Sequence, residues 1–178
     1  MVNARVGQHM ILETLAAPLI AAGLPERSPS RTNRALWAAA AFAALLWFWH
    51  APSPYDATFR NDAIYWLMHL STFAAALWFC REMIQAVERR LAVFLAAAIA
   101  TTLQMALLGA LLTFAGEPLF RAHLLTTAAW GLSPLEDQQL GGVIMWIPAG
   151  AIFLAAILWA VASTLRRAEH RTLTAARA

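Results

Sequence analysis

The sequence predicts an all-α fold: one polytopic integral membrane bundle of about five transmembrane helices, with residues 1–178 forming a single domain. Three observations predict it. Hydrophobic residues make up 61% of the chain and charged residues only 13%, too few to cover a water-soluble globule. Apolar runs recur at lengths suited to a hydrocarbon layer of ~30 Å, which a helix crosses in ~20 residues. The basic residues, all arginine, gather in alternate connections between those runs.

The first span, residues 8–24, carries His9 and Glu13 in its apolar part. It has no small-residue cleavage site, so it reads as a retained helix and not as a signal peptide. The second and third, residues 35–49 and 63–79, lie near the lower length limit of ~17 residues and must use flanking polar and aromatic residues. The second stops at the Ala-Pro-Ser-Pro run, residues 51–54. In the fourth, residues 91–114, Gly109 reads as a packing position, with Gly116 at the helix end. The fifth, residues 140–165, is entered through Ser133, Pro134 and Glu136. Ser at the N-cap, Pro at the first helical position and Glu at the third make a capping box. Asp137, Gly141 and Met145 then form one i, i+4, i+8 stripe, and Gln138 and Gly142 begin the next, continued by Ala149. Small residues there let another helix come close.

Arginine placement sets the expected topology. Arg27, Arg31 and Arg34 lie between the first two spans, Arg81, Arg89 and Arg90 between the third and fourth, and Arg166, Arg167, Arg171 and Arg177 after the last. The alternate connections hold Arg60 and Arg121 among carboxylates. The positive-inside rule puts the N-terminus outside and the C-terminus in the cytoplasm. The net charge of +3 thus reflects membrane topology, not nucleic-acid binding. The single Cys80 makes no intramolecular disulfide and no CxxC site. No Gly-rich phosphate loop, zinc-protease motif or nucleophile triad is present.

This topology brings His9, His50 and His69, from three different spans, into the outer half of the bundle. His50 ends its helix, where an interfacial histidine is common. His69 lies inside an apolar run and needs partners for both ring nitrogens, as a ligand or as a hydrogen-bonded structural residue. His123 reads as a residue of a polar connection and His170 as part of the basic tail. Glu13 shares a helix face with His9 and can orient its imidazole, take up protons or pair with an arginine. Capping accounts for Glu136, which leaves Asp137, Gln138 and Met145 without a local explanation. Imidazole with thioether is a donor set suited to copper, above all Cu(I). Met145, Met68 and Met105 are available, although methionine in such helices is more often packing.

The Gln8-His9-Met10 stretch with Ala16-Ala-Pro-Leu19, the Trp47-Phe-Trp-His50-Ala-Pro run, Met68-His69-Leu-Ser71, Gly109-Ala-Leu-Leu112 and, most specifically, Ser133-Pro-Leu-Glu-Asp-Gln-Gln-Leu-Gly-Gly-Val-Ile-Met145 resemble the multi-span CtaG family of cytochrome c oxidase assembly factors. The likeness runs in order along nearly the whole chain. It implies a multi-pass protein of the bacterial plasma (inner) membrane that supports maturation of a haem-copper oxidase through copper. It does not extend to the single-span copper chaperone of the same name, which uses paired cysteines. Two departures stand out: family members commonly carry additional spans before the Gln-His motif, and many have a second histidine where this chain has Arg5.

The expectation is therefore an assembly factor, not an enzyme, that hands copper to an oxidase subunit within the lipid bilayer. His9, His50 and His69 are the expected ligands with Met145 a fourth, while Glu13, Asp137 and Gln138 orient them or draw cations in. The alternative is a small b-type membrane cytochrome or quinone-linked electron-transfer protein, with two of the histidines as axial ligands to haem b.

Overall fold

A computed structural model describes residues 1–25 and 34–175. Arg27 and Arg31 of the first basic connection, and Arg177, lie outside the described residues. Among the described residues the chain is helical with no strand. In order, α1 (Val2–Ile11) runs through a π turn (Leu12–Ala16) into α2 (Ala17–Gly23). Then come α3 (Arg34–His50), the short α4 (Pro52–Ala57), α5 (Asp62–Arg89), α6 (Leu91–Thr113), two single 3-10 turns (Arg121–His123 and Ala128–Trp130) and α7 (Pro134–Ala175).

Three helices are long and apolar enough to cross a membrane: Asp62–Arg89, Leu91–Thr113 and Pro134–His170. They coincide with the last three expected spans and outrun two of them. The helix over the third span continues from Phe79 to Arg89, carrying Arg81 and Arg89 on its own surface and not in a connection. The first two expected spans differ for physical reasons. At 17 residues, α3 reaches only ~25 Å, short of the ~30 Å hydrocarbon layer. The first helix begins at Val2, takes in Arg5 and Glu13, and is broken in register by the π turn. Pro18 explains that turn, since it brings no N–H and its ring crowds the carbonyl four residues back.

Large apolar side chains cover the outside of the bundle, among them Leu19, Leu70, Leu103 and Leu158. A water-soluble monomer would not leave so many in the open. Inside, α6 packs along α7, α3 against α5 and α6, α1 against α7, and α2 against α5. Small residues set the α6–α7 approach. A Cβ on Gly142 would stand 2.6 Å from the Gly109 carbonyl oxygen, and one on Gly109 would stand 2.7 Å from the Trp146 Cβ. Gly141 faces Val2 and Asn3 of α1 in the same way. The close approach expected at these glycines is therefore present, with two different helices.

The core divides into two apolar clusters. One gathers Val2, Val6, Met10, Phe42, Met105, Leu108 and Met145; the other gathers Ala35, Ala38, Phe79, Met83, Phe94 and Ala97. Tryptophan hydrogen bonds tie the helices crosswise, from Trp47 Nε1 to Gln104 Oε1 at 3.1 Å and from Trp49 Nε1 to Ser71 Oγ at 3.0 Å.

Candidate metal centre

The three expected histidines meet. His9 comes from α1, His50 is the last residue of α3, and His69 lies two turns into α5. The ring centroids of His9 and His69 are 4.8 Å apart, and those of His9 and His50 are 6.5 Å apart. Local chemistry aims two of the rings. Pro52 disfavours the helical conformation at Ala51, which is extended at ψ 139°, so α3 ends with His50 at its tip. The Nδ1 atom of His50 bonds the Leu46 carbonyl at 2.7 Å, and Nδ1 of His69 bonds the Tyr65 carbonyl at 3.0 Å. A carbonyl only accepts, so both Nδ1 atoms carry the proton and both Nε2 atoms keep a lone pair. Metal-ligating histidines are commonly held in this way.

His9 and His69 are buried, and the Nε2 atom of each has no hydrogen-bond partner. Leaving a buried polar atom unsatisfied costs ~1–3 kcal/mol. Two such atoms lie here on neighbouring rings. Among the described residues, however, no group of three or more His, Cys, Asp or Glu side chains stands ready-made to hold a metal ion. An ion shared by these rings would need them to turn toward one another.

Met145 is 2% exposed and belongs to the apolar cluster with Met10 and Met105. Glu13 is also buried, in the π turn, and interacts with Thr72 of α5. It helps line an apolar cavity of about 260 Å³ with Phe42, Cys80, Met83 and Met105. The sequence leaves it three roles, orienting His9, taking up a proton or pairing with an arginine, and the neighbour it meets is Thr72.

Asp137 and Gln138 differ from expectation more sharply. They were expected to orient ligands or draw in cations, yet both are buried and committed to backbone. Asp137 accepts from Val2 N at 2.6 Å and Asn3 N at 3.3 Å, capping the start of α1. Gln138 accepts from Leu119 N at 2.7 Å and donates to the Leu112 carbonyl at 3.3 Å, while Gln139 donates to the Ala115 carbonyl at 3.4 Å. Glu136 and Ser133 form the expected capping box, with bonds of 2.8 and 3.2 Å. The Glu-Asp-Gln-Gln segment therefore satisfies orphan backbone groups of α7, α1 and the C-terminal end of α6.

Two residues acquire roles that local sequence did not reveal. Arg5, one turn before His9, places its guanidinium carbon 3.8 Å from the Phe59 ring centroid, 5.2 Å from that of Tyr65 and 5.3 Å from that of Tyr55. It also donates to Thr58 Oγ1. The Tyr65 ring in turn lies 4.2 Å from the His69 ring. His123 is 2% exposed, its Nε2 2.9 Å from the Tyr55 hydroxyl and its Nδ1 3.2 Å from Thr126 Oγ1. It is a buried structural histidine, not a solvated loop residue. The run of ring-bearing residues Tyr55, Phe59 and Tyr65 was the available signal for the first of these.

Comparison with known proteins adds one positive finding. The family model described as cytochrome c oxidase caa3 assembly factor (Caa3_CtaG) matches residues 1–167. No curated protein and no solved structure matches the chain.

Proposed function

Because the chain belongs to the cytochrome c oxidase caa3 assembly factor family, we propose that it binds copper at His9, His50 and His69 and passes it to a haem-copper oxidase subunit during assembly. The reading has five helices crossing the bacterial inner membrane, with the N-terminus and the histidine cluster on the outer side. In that arrangement α1–α2 and α3 cross as the two short helices, packed against α5, α6 and α7. The protein is a carrier here and not an enzyme, since binding and release of an ion complete its task.

One observation carries the proposal: the neighbouring rings of His9 and His69, 4.8 Å apart, with both Nε2 atoms buried and unpartnered. Imidazole nitrogen with thioether sulfur nearby suits Cu(I). Met145 is the weaker fourth ligand, brought in from the adjoining apolar cluster. Asp137 supports the site by fixing α1 against α7, and so by holding His9 in place, while Gln138 ties α7 to the end of α6. Glu13 would act one turn below the cluster through α5. No observation favours the haem b alternative.

Copper analysis of wild-type and His69→Ala protein, purified anaerobically and loaded with Cu(I), tests the proposal. Wild type is expected to retain copper and the variant to lose it, with an oxidase deficient in copper in cells that carry the variant. Equal copper in both proteins would refute the site.

A further inference from the structure

Arg5 is a cation beside the histidine cluster that the proposed function leaves unused. It lies four residues before His9, on the same helix face. Its guanidinium sits among the rings of Phe59, Tyr65 and Tyr55 and bonds the Thr58 hydroxyl. These partners hold the group without neutralising it. No carboxylate among the described residues is bonded to Arg5. Asp137 is engaged with the Val2 and Asn3 N–H groups, and Asp56 with the Ala122 N–H. An arginine stays charged at any pH a protein survives.

The charge is also close. Tyr65 separates it from His69, with 5.2 Å from guanidinium to ring and 4.2 Å from ring to ring. An ion at the cluster therefore stands on the order of 10 Å from a fixed positive charge. At that distance and an effective dielectric of ~20, each unit of charge on the ion weakens binding roughly fifteenfold, somewhat less where water reaches the half-buried arginine. A divalent ion meets that penalty twice and a monovalent ion once.

We infer that Arg5, locked in its aromatic box, makes the histidine cluster select a singly charged soft cation over divalent ions. The inference rests on the reading of that cluster as a copper site. Softness of the donors alone does not supply this selectivity, because imidazole also suits Zn(II) and Cu(II). The adjacent charge adds a discrimination by valence that the ligands lack.

The test is a pair of anaerobic competition titrations, Cu(I) and Zn(II), on the purified full chain in detergent. Wild type is compared with Arg5→Lys, Arg5→Gln and Arg5→Met, the last keeping an apolar stem against the rings. Loss of charge is expected to tighten both ions, and Zn(II) about tenfold more than Cu(I). Arg5→Lys keeps the wild-type ratio. A merely structural arginine would instead weaken both ions together in the neutral variants. An unchanged Zn(II)-to-Cu(I) ratio in both neutral variants, with His69-dependent binding intact, overturns the inference alone. Absence of any His69-dependent binding in wild type overturns the copper reading and this inference with it.

Discussion

The Asp137 carboxylate on α7 holds the Val2 backbone N–H at 2.6 Å, joining residues 135 positions apart in the chain. Its second oxygen reaches Asn3 N at 3.3 Å, so one side chain caps a helix to which it does not belong. The cap is wholly buried, and the helix dipole at the start of α1 favours its charge.

Replacing this side chain by alanine strands two N–H groups in an apolar setting. Asp137→Ala is expected to cost about 2 kcal/mol, the usual scale for a lost cap or charged hydrogen bond. Asp137→Asn restores most of it, since asparagine caps nearly as well. Thermal melting in detergent, followed by circular dichroism, reads both. A melting curve for Asp137→Ala that overlays wild type would show that the cap is dispensable.

Gly142 and Gly150 both lie on α7, yet alanine should act on them in opposite directions. At Gly142 a Cβ would meet the Gly109 carbonyl oxygen at 2.6 Å and Thr113 N at 2.8 Å, backbone atoms that cannot swing aside. Gly142→Ala is expected to push α6 from α7 at a cost of about 1–3 kcal/mol. At Gly150 a Cβ meets nothing within 4 Å, so alanine there gains up to ~1 kcal/mol of helix propensity. Melting temperatures that fall together would contradict this reading of the interface.

The sequence foretold Gly109, Gly141 and Gly142 as contact positions because small residues at helical spacing are a local pattern. The capping box of Ser133 and Glu136 was legible for the same reason, with both partners within three residues. That His9, His50 and His69 would share one end of the bundle was an expectation from charge placement and span length, and their rings do lie near one another. Asp137, Gln138, Arg5 and His123 were not legible. Each is satisfied by a partner at least 19 residues distant, and no periodicity within one helix announces such a contact. Polar residues at a helix entrance read as functional until the backbone groups that they satisfy become visible.

His123 gives the fold a dependence on acid. Burial, with help from nearby positive charge, pushes its imidazole down to about 4 from the ordinary 6.5, so the folded protein keeps it neutral. Below pH 6.5 the unfolded chain binds a proton there that the folded chain refuses. Stability from this residue is thus fully present above pH 6.5, and is lost as pH falls toward 4. His123→Phe removes the titration along with the Tyr55 hydrogen bond. It is expected to be less stable than wild type at pH 7.5 and to lose less on going to pH 4.5. Parallel stability–pH curves for the two proteins would rule out this assignment.

The three histidines should not contribute equally to copper binding. Metal–nitrogen bonds to imidazole are ~2.0–2.1 Å, so two nitrogens that share one ion stand roughly 4 Å apart. His9 and His69, with centroids 4.8 Å apart, reach that separation by turning their side chains. His50, at 6.5 Å from His9, has farther to come. His9 and His69 also carry the buried unpartnered Nε2 atoms, so an ion relieves a cost at both. His9→Ala and His69→Ala are therefore expected to abolish Cu(I) retention, whereas His50→Ala weakens it by about tenfold, the equivalent of ~1.4 kcal/mol. X-ray absorption of Cu(I)-loaded protein would count the imidazoles at the ion and find at least two in the His50→Ala variant. A His50→Ala protein as empty as His69→Ala would place His50 at the heart of the site and make the 4.8 Å pair insufficient by itself.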